Sequence, residues 1–223
     1  MEKIIRLQLA LFFMEIDSRP DRLMHAINTS MGNLFNGMPQ VIPLPPGAPQ
    51  EIPSVILKSE DNKYNCNISG SRIDLIFNGG PNWEIEWKSI IQDFLAKKNL
   101  FYNFVASEKK IFRFGFIGQF FIPDSKPSFQ ISRKYLKSDL GNLEELNIRY
   151  NKIKEMHGLA LNDIYSINSA QEDVDGKIRD GIFIERDINN IPTGIDLNND
   201  EVKIIIEKLA ESFYPDHIKG LIK

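Results

Sequence analysis

The chain has 223 residues, 27 basic and 30 acidic side chains, a formal net charge of −3 and 42% hydrophobic residues. A chain of that length can bury a core without staples, and its apolar share excludes wholesale disorder. The near-neutral balance argues against a general nucleic-acid coat or a polybasic membrane binder, and the single cysteine excludes an intramolecular disulfide framework or a cysteine-based zinc site.

Residues 3–16 read as a strand. Leu7, Leu9, Leu11 and Phe13 fall on one side, and Arg6, Gln8, Ala10, Phe12 and Met14 on the other. Polar residues drop out of the second side along the strand, which predicts cover on both sides at its far end. The apolar run at 9–14 is short, ends in Glu15 and has no small-residue cleavage site, and no stretch approaches the roughly 20 apolar residues of a membrane span. A cytoplasmic prokaryotic chain without membrane attachment is therefore expected. Ser18 is positioned as an N-cap with Pro20 in the first turn. Leu23, Ile27, Met31 and Leu34 then follow at helical spacing, up to Asn36-Gly37.

Six of the twelve prolines lie between residues 39 and 53, which rules out helix or central strand there. This extended segment reads as a surface connector, a ligand for a proline-recognising groove, or a strap anchored by Val41, Ile42 and Leu44. Three short strands follow at 54–58, 64–69 and 72–78, separated by Glu60-Asp61-Asn62-Lys63 and Gly70-Ser71. Cys66 falls in the middle one as a small, inert strand residue. The spacing of Trp83, Trp87, Ile90, Ile91, Phe94 and Leu95 predicts a helix over 83–98.

The order then recurs. Residues 110–122 alternate as a strand, with Phe112, Phe114, Phe116, Gly118 and Phe120 on one side and Ile111, Arg113, Gly115, Ile117 and Gln119 on the other. A short helix is predicted over 127–137 and strands over 143–154, 159–169 and 177–188, the last two joined by Asp173-Val174-Asp175-Gly176. Asn199 caps a closing helix whose first turn holds Asp200 and Glu201 and whose stripe is Val202, Ile205, Ile206, Leu209 and Phe213. The expected fold is α+β: two similar β-α-β-β-β-α halves, 1–106 with a proline-rich connector at 38–53 and 107–223, or one continuous domain. The sheet would be mostly antiparallel and curved, with helices packed on one face and an open concave face for a partner.

Strong catalytic signatures are missing. His25, His157 and His217 show no metal-ligand spacing, and Gly115-Phe116-Ile117-Gly118 lies within a strand, so it suggests a bend or close backbone approach in place of a phosphate loop. His157, ahead of Gly158, is the histidine best placed to contribute to binding. Glu185 and Asp187 share a strand face and could bind a divalent cation, with Lys177 or Lys203 assisting a nuclease-like reaction. The alternative is a half-solvated face paired with Arg179 or Arg186. Basic residues gather between 109 and 154 (Arg113, Lys126, Arg133, Lys134, Lys137, Arg149, Lys152 and Lys154) near Phe112, Phe114, Tyr135 and Tyr150. Such a mixture is compatible with single-stranded nucleic acid or with an ordinary solvated face.

The succession Arg72-Ile73-Asp74-Leu75-Ile76-Phe77, the Trp-bearing helix, the Phe-rich strand, Leu146-Asn147-Ile148-Arg149-Tyr150-Asn151-Lys152-Ile153, Asp187-Ile188-Asn189 and an amphipathic last helix resembles a sporadically distributed, uncharacterised family of prokaryotic proteins. The resemblance covers most of the chain and rests on packing motifs; Arg149-Tyr150-Asn151 is the closest match, although its spacing from the preceding strand departs from the family's. It carries over no active site, and its patchy distribution implies a mobile or antiviral-defence gene cluster. The favoured expectation is a non-catalytic accessory protein without a cofactor that binds another protein from a neighbouring gene through Arg113, Arg149, Tyr150 and His157. The alternatives are a metal-dependent hydrolase or nuclease using Glu185 and Asp187, and a single-stranded nucleic-acid binder.

Overall fold

The structure, a computed structural model, describes residues 2–80, 86–136, 140–141 and 143–223. Its strands are β1 (Lys3–Phe12), β2 (Gln40–Val41), β3 (Val55–Lys58), β4 (Tyr64–Ile68), β5 (Arg72–Asn78), β6 (Arg113–Pro123), β7 (Asn147–Met156), β8 (Leu159–Val174) and β9 (Lys177–Asn190). Its helices are α1 (Met24–Ser30), α2 (Trp87–Glu108), α3 (Pro127–Tyr135), α4 (Asn199–Ala210) and α5 (Pro215–Lys219). The fold is α+β, as the alternation and helical stripes predict.

All nine strands join one unclosed, curved sheet in the order β2-β3-β4-β5-β1-β6-β9-β8-β7, antiparallel at every pairing. The first strand of each half meets the other at the centre, β1 beside β6. From there β5, β4 and β3 run outward on one side, and β9, β8 and β7 on the other. The halves therefore share one sheet and one core. This mirrored layout does not show that one half is a copy of the other.

Alternation decides which residues the helices cover. Leu7, Leu9 and Leu11 of β1, Phe114, Phe116 and Phe120 of β6, and Ile182, Ile184 and Ile188 of β9 join Phe94, Phe101, Ile205, Ile206 and Phe213 in one buried cluster. Trp87 stacks on Phe120 at 5.0 Å, and Phe116 on Phe213 at 4.4 Å, locking α2 and the 3₁₀ turn after α4 (Glu211–Phe213) onto β6. Ala10, Phe12, Ile76 and Phe121 are also buried but lie outside that cluster, on the opposite face. The cover expected over the far end of β1 comes from Arg72 and Arg113, whose guanidinium carbons sit 4.7 and 5.0 Å from the Phe12 ring centre.

Several boundaries differ from expectation. β1 ends at Phe12, and the next helix splits into a 3₁₀ turn (Pro20–Leu23) and α1. Arg19, not Ser18, precedes that turn. The chain leaves α1 early because Gly32 and Asn33 take positive φ values of 67° and 59°. The predicted start of the second helix, including Trp83, lies outside the described residues, as does Lys137. α2 runs ten residues beyond the predicted end because Phe101, Tyr102 and Val105 prolong its buried stripe. Asn198, not Asn199, caps α4, accepting from the Asp200 and Glu201 N–H groups; the Asn199 amide donates to the Ala106 and Lys109 carbonyls at the end of α2. The proline-rich segment adds β2 to one sheet edge and then runs past the sheet end, where Gln50 accepts from the Ser71 N–H.

Candidate functional site

The sheet face that bears no helix among the described residues carries the polar half of the central strands. Cross-strand register sets Arg6 of β1 beside Gln119 of β6 and then Glu185 of β9; Gln8, Ile117 and Asp187 form the next row, and Ala10, Gly115 and Asn189 the one after. Ala10 and Gly115 make a shallow floor between taller neighbours. A Cβ added at Gly115 would meet only ordinary contacts near 3.9 Å, including one with an Asp187 carboxylate oxygen.

Two hydrogen-bond systems organise this face. In the first, Asp74 of β5 accepts from Gln8 Nε2 at 3.0 Å and Arg72 Nε at 2.9 Å. Burial nevertheless raises the Asp74 pKa above its ordinary value, against the pull of Arg72, Gln8 and Arg6. In the second, amides relay across three strands. Asn151 of β7 donates to Asn162 of β8 at 2.8 Å, Asn162 to Asn189 at 3.1 Å, and Asn189 to Asp187 at 3.0 Å. Gln119 donates to Glu185 at 2.7 Å. Asp187 is raised by burial and by Glu185, while Asn189, Arg113 and Arg149 oppose the shift.

Unmet polar atoms of both kinds lie on this face, and Asn65 Oδ1 of β4 is a buried acceptor without a hydrogen-bond partner. Arg6 Nε and Arg113 Nε are both buried without a hydrogen-bond partner. Burial also lowers the Arg6 pKa, opposed by Asp74 and Glu185 and assisted by Arg72. An unmet buried donor costs about 1–3 kcal/mol, so oxygen acceptors brought to this face would relieve a standing penalty.

One end of the face curls inward. Lys3 of β1 pairs with Glu172 of β8, which lies three strands away in sheet order, or about 14 Å across a flat sheet. The contact requires the β8–β9 hairpin to bend over the helix-free side, which makes that side concave. Lys3 and Arg179 meet over the Phe121 ring, and Arg179 also pairs with Glu172. Glycine at position 181 permits the bend, since a Cβ there would fall 2.3 Å from the Phe121 ring and 2.7 Å from the Ile122 carbonyl oxygen.

Of the predicted site residues, Arg113, Arg149, Glu185 and Asp187 lie on this face, with both arginines close enough to act on Asp187. Tyr150 lies on the helix side, stacked on Tyr165 at 4.8 Å and beside Tyr135. His157 takes φ 50° in the two-residue turn joining β7 to β8, with Nε2 2.8 Å from Lys208 Nζ of α4. The expected four-residue binding set is thus split between two faces and a turn. Lys177 lies at the far hairpin tip and Lys203 on α4, so neither joins Glu185 and Asp187. Among the described residues, no group of three His, Cys, Asp or Glu side chains could hold a metal ion. The mixed basic and aromatic surface is also divided: Phe114 is fully buried, Arg133 and Lys134 ride on α3, and Lys152 lies above the Tyr150 and Tyr165 rings on the helix side.

Cys66 is fully buried, and burial pushes its thiol well above the ordinary value. His25 is exposed on α1, and His217 belongs to α5, which docks through fully buried Ile218 instead of fraying. Arg6, Gln8, Arg72, Asp74 and the asparagine relay are additional candidates for the face. Their alternation was visible in sequence, but nothing local brought these separate strands together. Among the described residues, no helix is long and apolar enough to cross a membrane. No protein-family model matches the chain, and no curated protein matches its sequence.

Proposed function

We propose that this protein is a non-catalytic binding protein that holds another protein against its concave sheet face. The carrying observation is the buried, acceptor-free Nε–H pair of Arg6 and Arg113 on a polar face that no helix among the described residues covers. Turned outward, these guanidinium groups would pair with carboxylate or carbonyl oxygens of a partner, and Arg72 and Arg149 would extend the same field. The hydrogen-bonded asparagine relay supports a prearranged surface, which lowers the ordering cost of association.

The resemblance to a sporadically distributed family suggests seeking the partner among products of neighbouring genes, in a mobile or defence cluster. Co-expression of the tagged chain with those products tests the reading. The expected result is one stoichiometric companion, lost by at least tenfold with Arg6→Ala or Arg113→Ala while the fold, followed by circular dichroism, is retained. A chain that retains none of those products, or retains one equally after both substitutions, overturns it.

A further inference from the structure

The sheet has two unequal edges. β2 contributes two residues at one, whereas β7 contributes ten at the other and pairs with β8 without a register shift. β7 contains no proline, and Ile153 is 61% exposed. Among the described residues, β8 is the only strand bonded to β7. A long, regular edge of this kind presents a row of main-chain groups that another strand can complete.

The ladder identifies those groups. The Ser169 N–H donates to the Leu146 carbonyl at 3.0 Å, continuing the register of Asn147 with Asn168. Bonded pairs alternate along an antiparallel ladder, so Ile148, Tyr150, Lys152 and Lys154 bond inward to β8. The two-residue turn at His157-Gly158 demands the same phase, because it closes on a bonded Met156–Leu159 pair. Arg149, Asn151, Ile153 and Glu155 therefore direct N–H and C=O groups outward, with their side chains on the concave face. Arg149 and Glu155 are both exposed, and neither has a hydrogen-bond or ion-pair partner among the described residues. One cation and one anion on the same outward row make this edge complementary to itself.

We infer that the free edge of β7 pairs with the same edge of a second copy of this chain, antiparallel about a two-fold axis at Lys152, so that Arg149 of each copy faces Glu155 of the other. Outward-bonding residues pair only with outward-bonding residues, so the axis falls on a residue, and each choice gives different partners. An axis at Tyr150 sets Arg149 against Asn151, one at Asn151 sets Arg149 against Ile153, and one at Ile153 sets Glu155 against Asn151. The axis at Lys152 forms an ion pair, and symmetry forms it twice. The same register sets Ile148 against Met156 twice on the helix side and brings the two Ile153 side chains diagonally across the axis on the concave side. Lys152 then meets its own copy. Its ammonium, however, leans over the Tyr150 and Tyr165 rings, 5.4 and 5.5 Å from their centres, toward β8 and away from the axis. The pairing is isologous, and it leaves only the two-residue β2 at each outer edge, so it closes at two copies. Its axis stands normal to the sheet, and the two concave faces open on the same side.

Sedimentation velocity of the full chain over a concentration series tests this pairing. The wild type should approach twice 25.6 kDa as concentration rises. Arg149→Glu and Glu155→Arg, each alone, oppose like charges twice and should raise the dimer dissociation constant at least tenfold with unchanged circular dichroism. Combined, they rebuild both ion pairs in reverse and should return the constant to within about threefold of wild type. Ile153→Pro removes one outward N–H, leaves the inward ladder intact and should abolish the dimer; if it does not fold, the charge exchange decides alone. A cysteine probe reads the register directly. At the axis the two Lys152 residues form a non-bonded pair with Cα atoms about 4.5 Å apart, within disulfide reach. Lys152→Cys should therefore cross-link on air oxidation and Lys154→Cys, which faces Tyr150, should not, while the fully buried Cys66 does not compete. A monomer at every concentration, a dimer indifferent to the single charge reversals or to folded Ile153→Pro, a double variant no tighter than the single ones, or equal cross-linking of both cysteine variants overturns the inference. These readouts need no second protein, so the edge pairing and the concave-face reading stand or fall separately.

Discussion

The two faces of the sheet use alternate residues of the same strands, yet their charged groups meet different fates. On the helix side, Asp163 accepts from Arg186 Nε at 2.9 Å and Nη2 at 2.8 Å, from Tyr165 at 2.8 Å and from Lys154. Arg186 also donates to the Ser212 carbonyl at 2.8 Å. Burial pushes Asp163 upward, but the bonds and charges of Arg186, Lys154 and Tyr165 outweigh it and hold the carboxyl below its ordinary range. On the concave face, Asp74 and Asp187 stay above theirs, and two arginine Nε–H groups lack partners. Around Asp163 and Arg186 the helix side has closed its polar contacts, whereas the concave face retains unmet donors at Arg6 and Arg113.

The largest expected break in this comparison comes from Asp163→Asn. It leaves Arg186 buried beside a neutral group and should cost about 3–5 kcal/mol at neutral pH, read by urea unfolding. Because the folded pKa is depressed, the stability is present above the ordinary carboxylate range near 4 and is lost as pH falls through the folded value. The deficit of Asp163→Asn relative to wild type should therefore shrink on acidification below pH 4. A constant deficit would show that the ionised carboxylate is not its source.

Two glycines on opposite sides of β6 sharpen the contrast. A Cβ at Gly118 would meet the Phe213 ring at 2.5 Å and Phe120 at 2.6 Å, so Gly118→Ala should destabilise by about 1–3 kcal/mol. Gly115→Ala should remain within about 0.5 kcal/mol, because its new methyl meets only ordinary contacts. Equal losses in thermal melts would place similarly tight packing on both faces. The smallest stability effect is expected for Arg149→Ala, within about 0.5 kcal/mol, whereas companion retention should fall measurably in the co-expression assay.

Fold legibility varied by element. Phe114, Phe116 and Phe120 alternate clearly, and the Asp173–Gly176 turn announced the hairpin, with φ values of 54° and 77° at Asp175 and Gly176. The long α2 was cut short in expectation because Lys97 and Lys98 interrupt its apolar pattern. Lys98 is 2% exposed, and burial lowers its pKa to about 8. Tyr150 and His157 suggest binding by residue type but serve an aromatic stack and a turn; their side and backbone angle depend on ladder phase.

The amino-acid order by itself determined the alternating strands, helical stripes, turns and α+β class, because these follow from periods of two and 3.6 and from local backbone preferences. Tertiary structure decided that β1 and β6 meet at the centre of one sheet, that Arg6, Asp74, Gln119, Glu185 and Asn151 share a face, and that β7 remains an edge. Those relations join residues up to 179 positions apart along the chain, from Arg6 to Glu185. No local period encodes such pairings; burial of the helix-side apolar residues in one cluster selects them and leaves the polar alternates together.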